Sequence, residues 1–463
     1  MPTIKVVNIT PAALSGDRSQ DSEPDLAVNP EHPDEMVATA FTPDPMGGPL
    51  APIYVSTDGG NTWTLRSIVP GGGPHGTSDI SVGFATTGGV LYAGILNSHG
   101  APGGKTRMQL LRSPGISSTA PMETLVTRDR PDQPWVVAGS VHQNGTTRDR
   151  VYISNNDIGQ RPRSAAVDVS GDARTAPPPA GFTRSLIERR TPEGQDAPPV
   201  RIALHPEGTV YAAFESWTRV TGDDVLDVTY DVVVTRDDSG GLGPDAFQDL
   251  KDADDSEIGQ RVAVDRVETF NAEMGQERLG GDLAIAVDPT APGSVRVAWC
   301  DRVGASPGVG CILHVRHSTD FGQTWSEDDR TVTNAKNPAL AVNADSLLGL
   351  AYQQFKQGQW TTVLELTDDD WKTDPERHVL HQAPADVPAA RLLPFLGDYI
   401  RLLAVGRDFY GVFAGNNTPD HANFPEGVTY QRNADFVSHQ LLDIDNVTRV
   451  RPSIDPFFYH RAA

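Results

Sequence analysis

The chain has 463 residues, 38% of them hydrophobic, with 44 glycines, 37 prolines and a formal charge of −23 at pH 7. Disorder would need fewer apolar residues, and a nucleic-acid partner would need a basic face that this charge balance does not supply. No apolar run approaches a membrane span and the opening Met1-Pro2-Thr3-Ile4-Lys5-Val6-Val7 lacks a signal-peptide pattern, so a soluble chain without membrane insertion is expected, its compartment unassigned.

In chain order, one pattern returns at a spacing of roughly 55 to 70 residues, the length of a propeller blade with long loops. Each pass is a short apolar strand, a turn and a second apolar strand. Residues 25–30 lead into 35–41, 80–84 into 90–94, 135–139 into 150–154, and 200–206 into 209–214. Residues 283–289 then lead into 294–299, 339–343 into 347–352, and 399–403 into 409–414. The unbroken apolar character of the first strands suits the innermost strand of a blade, packed on both faces. Third strands and polar turns follow, and then fourth strands, as at 65–69 and 331–333.

The predicted fold is therefore all-β, a single seven-bladed β-propeller of four-stranded antiparallel blades over residues 1–463. The blades are placed at about 20–75, 76–130, 131–192, 193–255, 278–335, 336–395 and 396–445. Residues 436–443 are expected to complete the last blade, 4–9 to pair at the seam, and the aromatic tail 446–463 to pack on the propeller. Residues 245–252 are the one short helical candidate.

Two octapeptides fall at the same point of the repeat: Ser56-Thr57-Asp58-Gly59-Gly60-Asn61-Thr62-Trp63 and Ser318-Thr319-Asp320-Phe321-Gly322-Gln323-Thr324-Trp325. A short carboxylate can accept hydrogen bonds from its own turn, glycine permits positive φ, and tryptophan can wedge against blade packing. The octapeptides resemble the Asp box, or BNR repeat, of sialidase-like β-propellers. The resemblance spans the chain as a repeat but only these octapeptides as sequence, with degenerate versions at 235–247 and 367–371. It implies turns between third and fourth strands, away from the ligand face. Ser56, Asp58, Gly60, Trp63, Ser318, Asp320, Gly322 and Trp325 are accordingly assigned structural roles.

The sialidase family also uses a Phe/Tyr-Arg-Ile-Pro motif, three arginines for the sialate carboxylate and a Tyr–Glu pair. Here the nearest string is Val200-Arg201-Ile202-Ala203, in the fourth repeat rather than the first. Arg130, Arg201, Arg302 and Arg391 lie at loop or strand ends, and Glu215 with Tyr399 is a conceivable pair, but none sits in a matched motif, so no catalytic role carries over.

In propellers of this type the loops entering the innermost strands converge on one axial face. The positions just before those strands are Asp21, Glu23 and Asp25, then Ser78 and Asp79, Asp132 and Gln133, Asp196, Asp282, Asn337 and Asp398. The candidate ligand-binding set is Glu23, Asp79, Asp132, Arg201, Glu215, Trp217, Asp282, Asp398 and Tyr399, with Trp360, His99 and Phe424 as further aromatic candidates. Such a ring can satisfy strand-start amides, hold a hard cation such as calcium, or bind a glycan and run acid–base hydrolysis. No Asp-x-Asp-x-Asp-Gly loop supports the calcium option, and no cofactor is required by any motif. No His-Glu-x-x-His, phosphate-binding glycine loop or Gly-x-Ser-x-Gly elbow occurs. Cys300 and Cys311 flank a short loop, where free buried thiols are the default and a disulfide is geometrically possible.

The leading expectation is a recognition module binding a glycan or protein at the axial face. Alternatives are a glycoside hydrolase using carboxylates of that face, and an interaction scaffold within a larger assembly.

Overall fold

The computed structural model describes residues 4–41, 53–66, 79–97, 106–143, 145–160, 164–177, 181–190, 200–222, 225–271, 283–302, 310–388 and 396–463. It is all-β, and its only helical segments among the described residues are short 3₁₀ turns such as Ala12–Leu14 and His421–Asn423. Residues 245–252 form turns rather than a helix.

Six four-stranded antiparallel meanders follow one another. Blade one is Ser22–Val28, Met36–Phe41, Ile53–Ser56 and Thr64–Arg66, and blade two is Ile80–Phe84, Leu91–Asn97, Arg107–Ser113 and Glu123–Asp129. Blade three is Pro131–Gln143, Thr146–Asp157, Ser164–Ser170 and Thr183–Leu186. Blade four is Arg201–Leu204, Val210–Thr221, Val225–Asp237 and Gln260–Asn271. Blade five is Ala284–Asp288, Ala291–Arg302, Cys311–Ser318 and Arg330–Thr333. Blade six is Ala335–Val342, Leu348–Lys356, Gln359–Thr367 and Glu376–Pro384. Their innermost strands touch in order, and the seventh, Arg401–Val405, closes the ring against the first. Burial on both faces explains the innermost strands: Ser22–Val28 and Ala335–Val342 are buried at every position.

The seventh blade is assembled differently from the expectation. Its second strand, Asp408–Asn416, pairs with Ile454–Arg461, and Ile4–Asn8 pairs outside that. The tail is thus the third strand of the last blade rather than a segment packed on the propeller. Residues 436–443 instead contribute to a separate small sheet of Ala434–Asp435, Gln440–Leu442 and Arg449–Val450. Hydrophobic burial decides the exchange, because Phe457, Phe458 and Tyr459 are wholly buried whereas Val437 is 91% exposed.

The two octapeptides form closely similar turns. Ser56 Oγ donates to Asp58 Oδ1 (2.9 Å) and accepts from Gly60 N (2.9 Å), while Thr62 donates through N (2.9 Å) and Oγ1 (2.7 Å) to the Asp58 carboxylate. Ser318, Asp320, Gly322 and Thr324 repeat the pattern at 2.6–2.9 Å. Trp63 Nε1 donates to the Gly60 carbonyl, as Trp325 does to Gly322. Gly60 has φ +79°, and a Cβ there would stand 2.3 Å from the Phe458 ring, so the first turn docks on blade seven without room for a side chain. Both turns connect third and fourth strands. Cys300 and Cys311 are buried and not joined in a disulfide, standing opposite Leu313 and Arg302 rather than each other.

Candidate functional site

The starts of the innermost strands bring several acids together. Glu23 lies in the first strand of blade one, Asp79 just ahead of that of blade two, and Asp398 and Tyr399 just ahead of that of blade seven. All four are buried. Burial pushes the Glu23 carboxyl well above the usual carboxylate range, and the charges of Asp79 and Asp398 add to the rise. The Tyr399 hydroxyl donates to Asp79 Oδ1 at 3.5 Å. Burial and then Asp79, Glu23 and Asp25 raise the Tyr399 phenol, while Arg201 acts the other way.

A cationic and aromatic patch adjoins the acids. The Arg201 guanidinium lies 3.5 Å from the Trp135 ring centre and 5.3 Å from that of Tyr399. Arg401 lies 4.1 Å from the same indole and 3.6 Å from Asp25. Trp135 and Tyr399 meet edge to face at 5.8 Å. Trp135, Arg201 and Arg401 also line a cavity of about 240 Å³ between the innermost strands. Asp25 joins two blades: its carboxylate accepts from Leu26 N (2.8 Å) and from Val82 N of blade two (2.9 Å).

The structure therefore brings Glu23, Asp79, Arg201, Asp398 and Tyr399 together. Asp132 opens the innermost strand of blade three, and its carboxylate accepts from Gln133 N at 3.1 Å. Glu215 lies in the second strand of blade four, where its charge bears on the Tyr230 phenol. Trp217 packs in the core between blades four and five with Val228 and Tyr230, rather than offering its ring to solvent. Trp360 and Phe424 are likewise buried, Trp360 beneath the Lys336 ammonium at 5.1 Å. Ser78, His99, Asp196, Asp282 and Arg391 lie outside the described residues.

Trp135 and Arg401 were not among the candidates. Trp135 reads as one more apolar position of a buried strand, and its usable signal is the polar-proline pair Gln133-Pro134 ahead of it. Among the described residues, no group of three or more His, Cys, Asp or Glu side chains is placed to hold a metal ion. No helix among them is long and apolar enough to cross a membrane.

No family model matches the chain, and no curated protein matches it. Among solved structures it is similar to a mutant α-L-arabinofuranosidase of Fusarium graminearum in complex with an iminosugar inhibitor (TM-score 0.46, 12% identity, 78% of this chain and 97% of that one). It is also similar to a Penicillium chrysogenum α-L-arabinanase complexed with arabinobiose (0.44, 11%, 98% and 98%). A third likeness is to a mutant NanB sialidase of Streptococcus pneumoniae (0.35, 11%, 88% and 66%).

Proposed function

We propose that the axial face hydrolyses a glycosidic bond, with Glu23 as the proton-donating acid and Asp79 or Asp398 as the second carboxyl group. The observation that carries this reading is the meeting of three carboxyl groups from blades one, two and seven beside Tyr399 and Arg201. Two-carboxyl hydrolysis needs one group protonated and one ionised, and environments that push neighbouring acids apart are how such pairs are made. Burial and two like charges favour the protonated form of Glu23. Arg201 and Arg401, held against Trp135, place positive charge next to the acids, so that the cluster is not a run of negative charge alone. Such hydrolysis consumes water and needs no cofactor. The two octapeptide turns support a propeller of the sialidase-like, Asp-box type.

The test is a broad panel of chromogenic furanosides, pyranosides and sialosides, run on the whole chain and on Glu23→Gln. Turnover that is lost in Glu23→Gln supports the proposal. No turnover on any substrate, alongside glycan-array binding that is lost in the Asp79→Asn, Asp398→Asn double variant, would replace it with the recognition module. Capture of a protein with neither result would leave the interaction scaffold.

A further inference from the structure

Three innermost strands open alike. In blades one, three and six a polar residue sits at positive φ just ahead of a proline: Glu23-Pro24 (50°), Gln133-Pro134 (50°) and Asn337-Pro338 (54°). Each coincides with a slip of register against the second strand, between Ser22 and Asp25, Asp132 and Trp135, and Lys336 and Ala339. Left-handed backbone is unfavourable for a residue with a side chain, and a bulge re-aims the side chain it carries. All three polar side chains are buried. Strain of this kind persists where the surroundings over-determine it, and it gathers at sites that need a fixed geometry.

In blade six the bulge turns Asn337 toward blade seven. Its Nδ2 donates to the Gly397 carbonyl at 2.9 Å and to Gln353 Oε1 at 3.0 Å. Gln353 Nε2 donates in turn to the Ala414 carbonyl of blade seven at 2.9 Å and to the Thr362 hydroxyl at 3.3 Å. The carboxamide is thus anchored from behind. Gly397 has φ +86° and is pressed against the acid: a Cβ there would stand 2.4 Å from Glu23 Cγ and 2.8 Å from Glu23 N. The next residue is Asp398. One carbonyl therefore lies between Asn337 and two of the three carboxyl groups.

We propose that Asn337 is a positioning residue, which by holding the Gly397 carbonyl fixes the spacing of Glu23 and Asp398 across the axis. Its geometry stands alone, but its catalytic meaning rests on the hydrolase reading above. The groups facing Glu23 are Asp79 from blade two and Asp398 and Tyr399 entering blade seven. Beyond them stand Asp25, Arg201 and Arg401, and the Lys336 ammonium lies 3.5 Å from the Gly397 carbonyl. Asn337 carries no charge, so it acts on Glu23 through distance. Releasing Gly397 lets Asp398 move away and lets water in. Relief of burial and of the Asp398 charge outweighs the lost hydrogen bond from the Asp398 backbone, so ionisation of Glu23 is eased.

The experiment is a carbon-13 NMR titration of the full chain labelled at glutamate, with the Glu23 carboxyl signal identified by its loss in Glu23→Gln. In Asn337→Ala the Glu23 midpoint is expected to move down toward the ordinary glutamate range. It should stay in place in Asn417→Ala, which removes a buried amide bonded to Ser453 and Asp455 elsewhere in blade seven. If the chain turns over a glycoside, the alkaline limb of its kcat/KM profile should move down with the midpoint in Asn337→Ala alone. A folded Asn337→Ala variant whose Glu23 midpoint matches the unsubstituted chain overturns the proposal. Should that variant not fold, Gln353→Leu removes the anchor behind Asn337 and is judged by the same criterion. The titration needs no turnover, so an inactive protein would count against the hydrolase and leave the clamp to be decided by the midpoint.

Discussion

The axial cluster and the seam between blades four and five bury the same kinds of side chain to opposite effect. At the seam, Asp301 accepts from the Tyr230 hydroxyl (3.1 Å), the Trp299 indole (3.0 Å) and Arg266, and His314 Nε2 lies 3.1 Å away. Asp328 holds the other imidazole nitrogen of His314 and Arg316, each at 2.7 Å. Trp299 stacks on that imidazole at 5.0 Å. Burial acts to raise Asp301 and Asp328, yet these partners hold both below the usual aspartate range. On the axis Glu23 is raised, because after burial its largest influences are two more carboxylates. What separates the two regions is the sign of the neighbours. Acids matched with donors staple blades together, whereas acids set against acids cost stability, a cost that the proposed hydrolase reading assigns to chemistry.

The largest expected effect tests the axial side of that contrast. If Glu23 is the acid, Glu23→Gln lowers turnover by about 10²- to 10⁴-fold while the fold is retained, checked by steady-state kinetics beside circular dichroism. A paired acid in the ring closure should behave in the reverse way. Arg432 is wholly buried, its Nη1 bonded to both oxygens of Asp455 (3.0 and 2.9 Å) and its Nη2 to the carbonyls of Ser15 (2.7 Å) and Asp17 (2.8 Å). Arg432→Ala strands the Asp455 carboxylate away from water, at a cost of about 3–5 kcal/mol in urea unfolding.

The pH dependence of stability sharpens the comparison further. Because the folded Glu23 value is raised, its contribution is present below the unfolded value near pH 4 and is lost as pH rises through the folded one. Glu23→Gln should therefore raise the melting temperature relative to the unsubstituted chain at pH 8 and change it little near pH 4. Asp301 is lowered, so its contribution is present above the unfolded value near pH 4 and fades as pH falls through the folded one. Asp301→Asn should lower the melting temperature at pH 7, by an amount that shrinks toward pH 3. Equal responses of the two variants to pH would erase the distinction between paired and opposed acids.

The fold was largely legible because innermost strands such as Ser22–Val28 and Ala335–Val342, buried on both faces, leave short apolar runs that recur along the chain. Its closure was not. The third strand of blade seven contains Pro456, a residue that argues against a central strand, and it follows a long insertion after Asn416. Only the ring explains why Ile454–Arg461 is taken up between Asp408–Asn416 and Ile4–Asn8. Within the site, Glu23, Asp79, Arg201, Asp398 and Tyr399 could be found because polar residues at strand starts stand out against apolar runs. Trp135 and Arg401 could not, since an indole in a buried strand and an arginine one turn of alternation after Tyr399 look like ordinary packing. The pairing of Asn337 with Gly397 joins residues 60 positions apart and depends on a bulge, which no periodicity announces.

The smallest expected effect comes from the most conspicuous motif. Asp58, exposed, and Asp320, half-buried, close their own turns. Burial acts to raise both, but the hydrogen bonds from Thr62, Ser56 and Asn61, and from Thr324, Ser318 and Gln323, together hold them below the usual range. Removing either side chain leaves backbone amides that water can reach, so Asp58→Ala or Asp320→Ala should each cost about 1–2 kcal/mol, as the loss of a capping side chain does. Neither should alter turnover or ligand binding by more than the error of the measurement, because both turns join third and fourth strands, at the opposite end of the blades from the strand starts that gather Glu23, Asp79 and Asp398. A drop in activity in either variant, with the melting temperature unchanged, would move the functional face to that end of the propeller and leave the axial acids as one more structural seam.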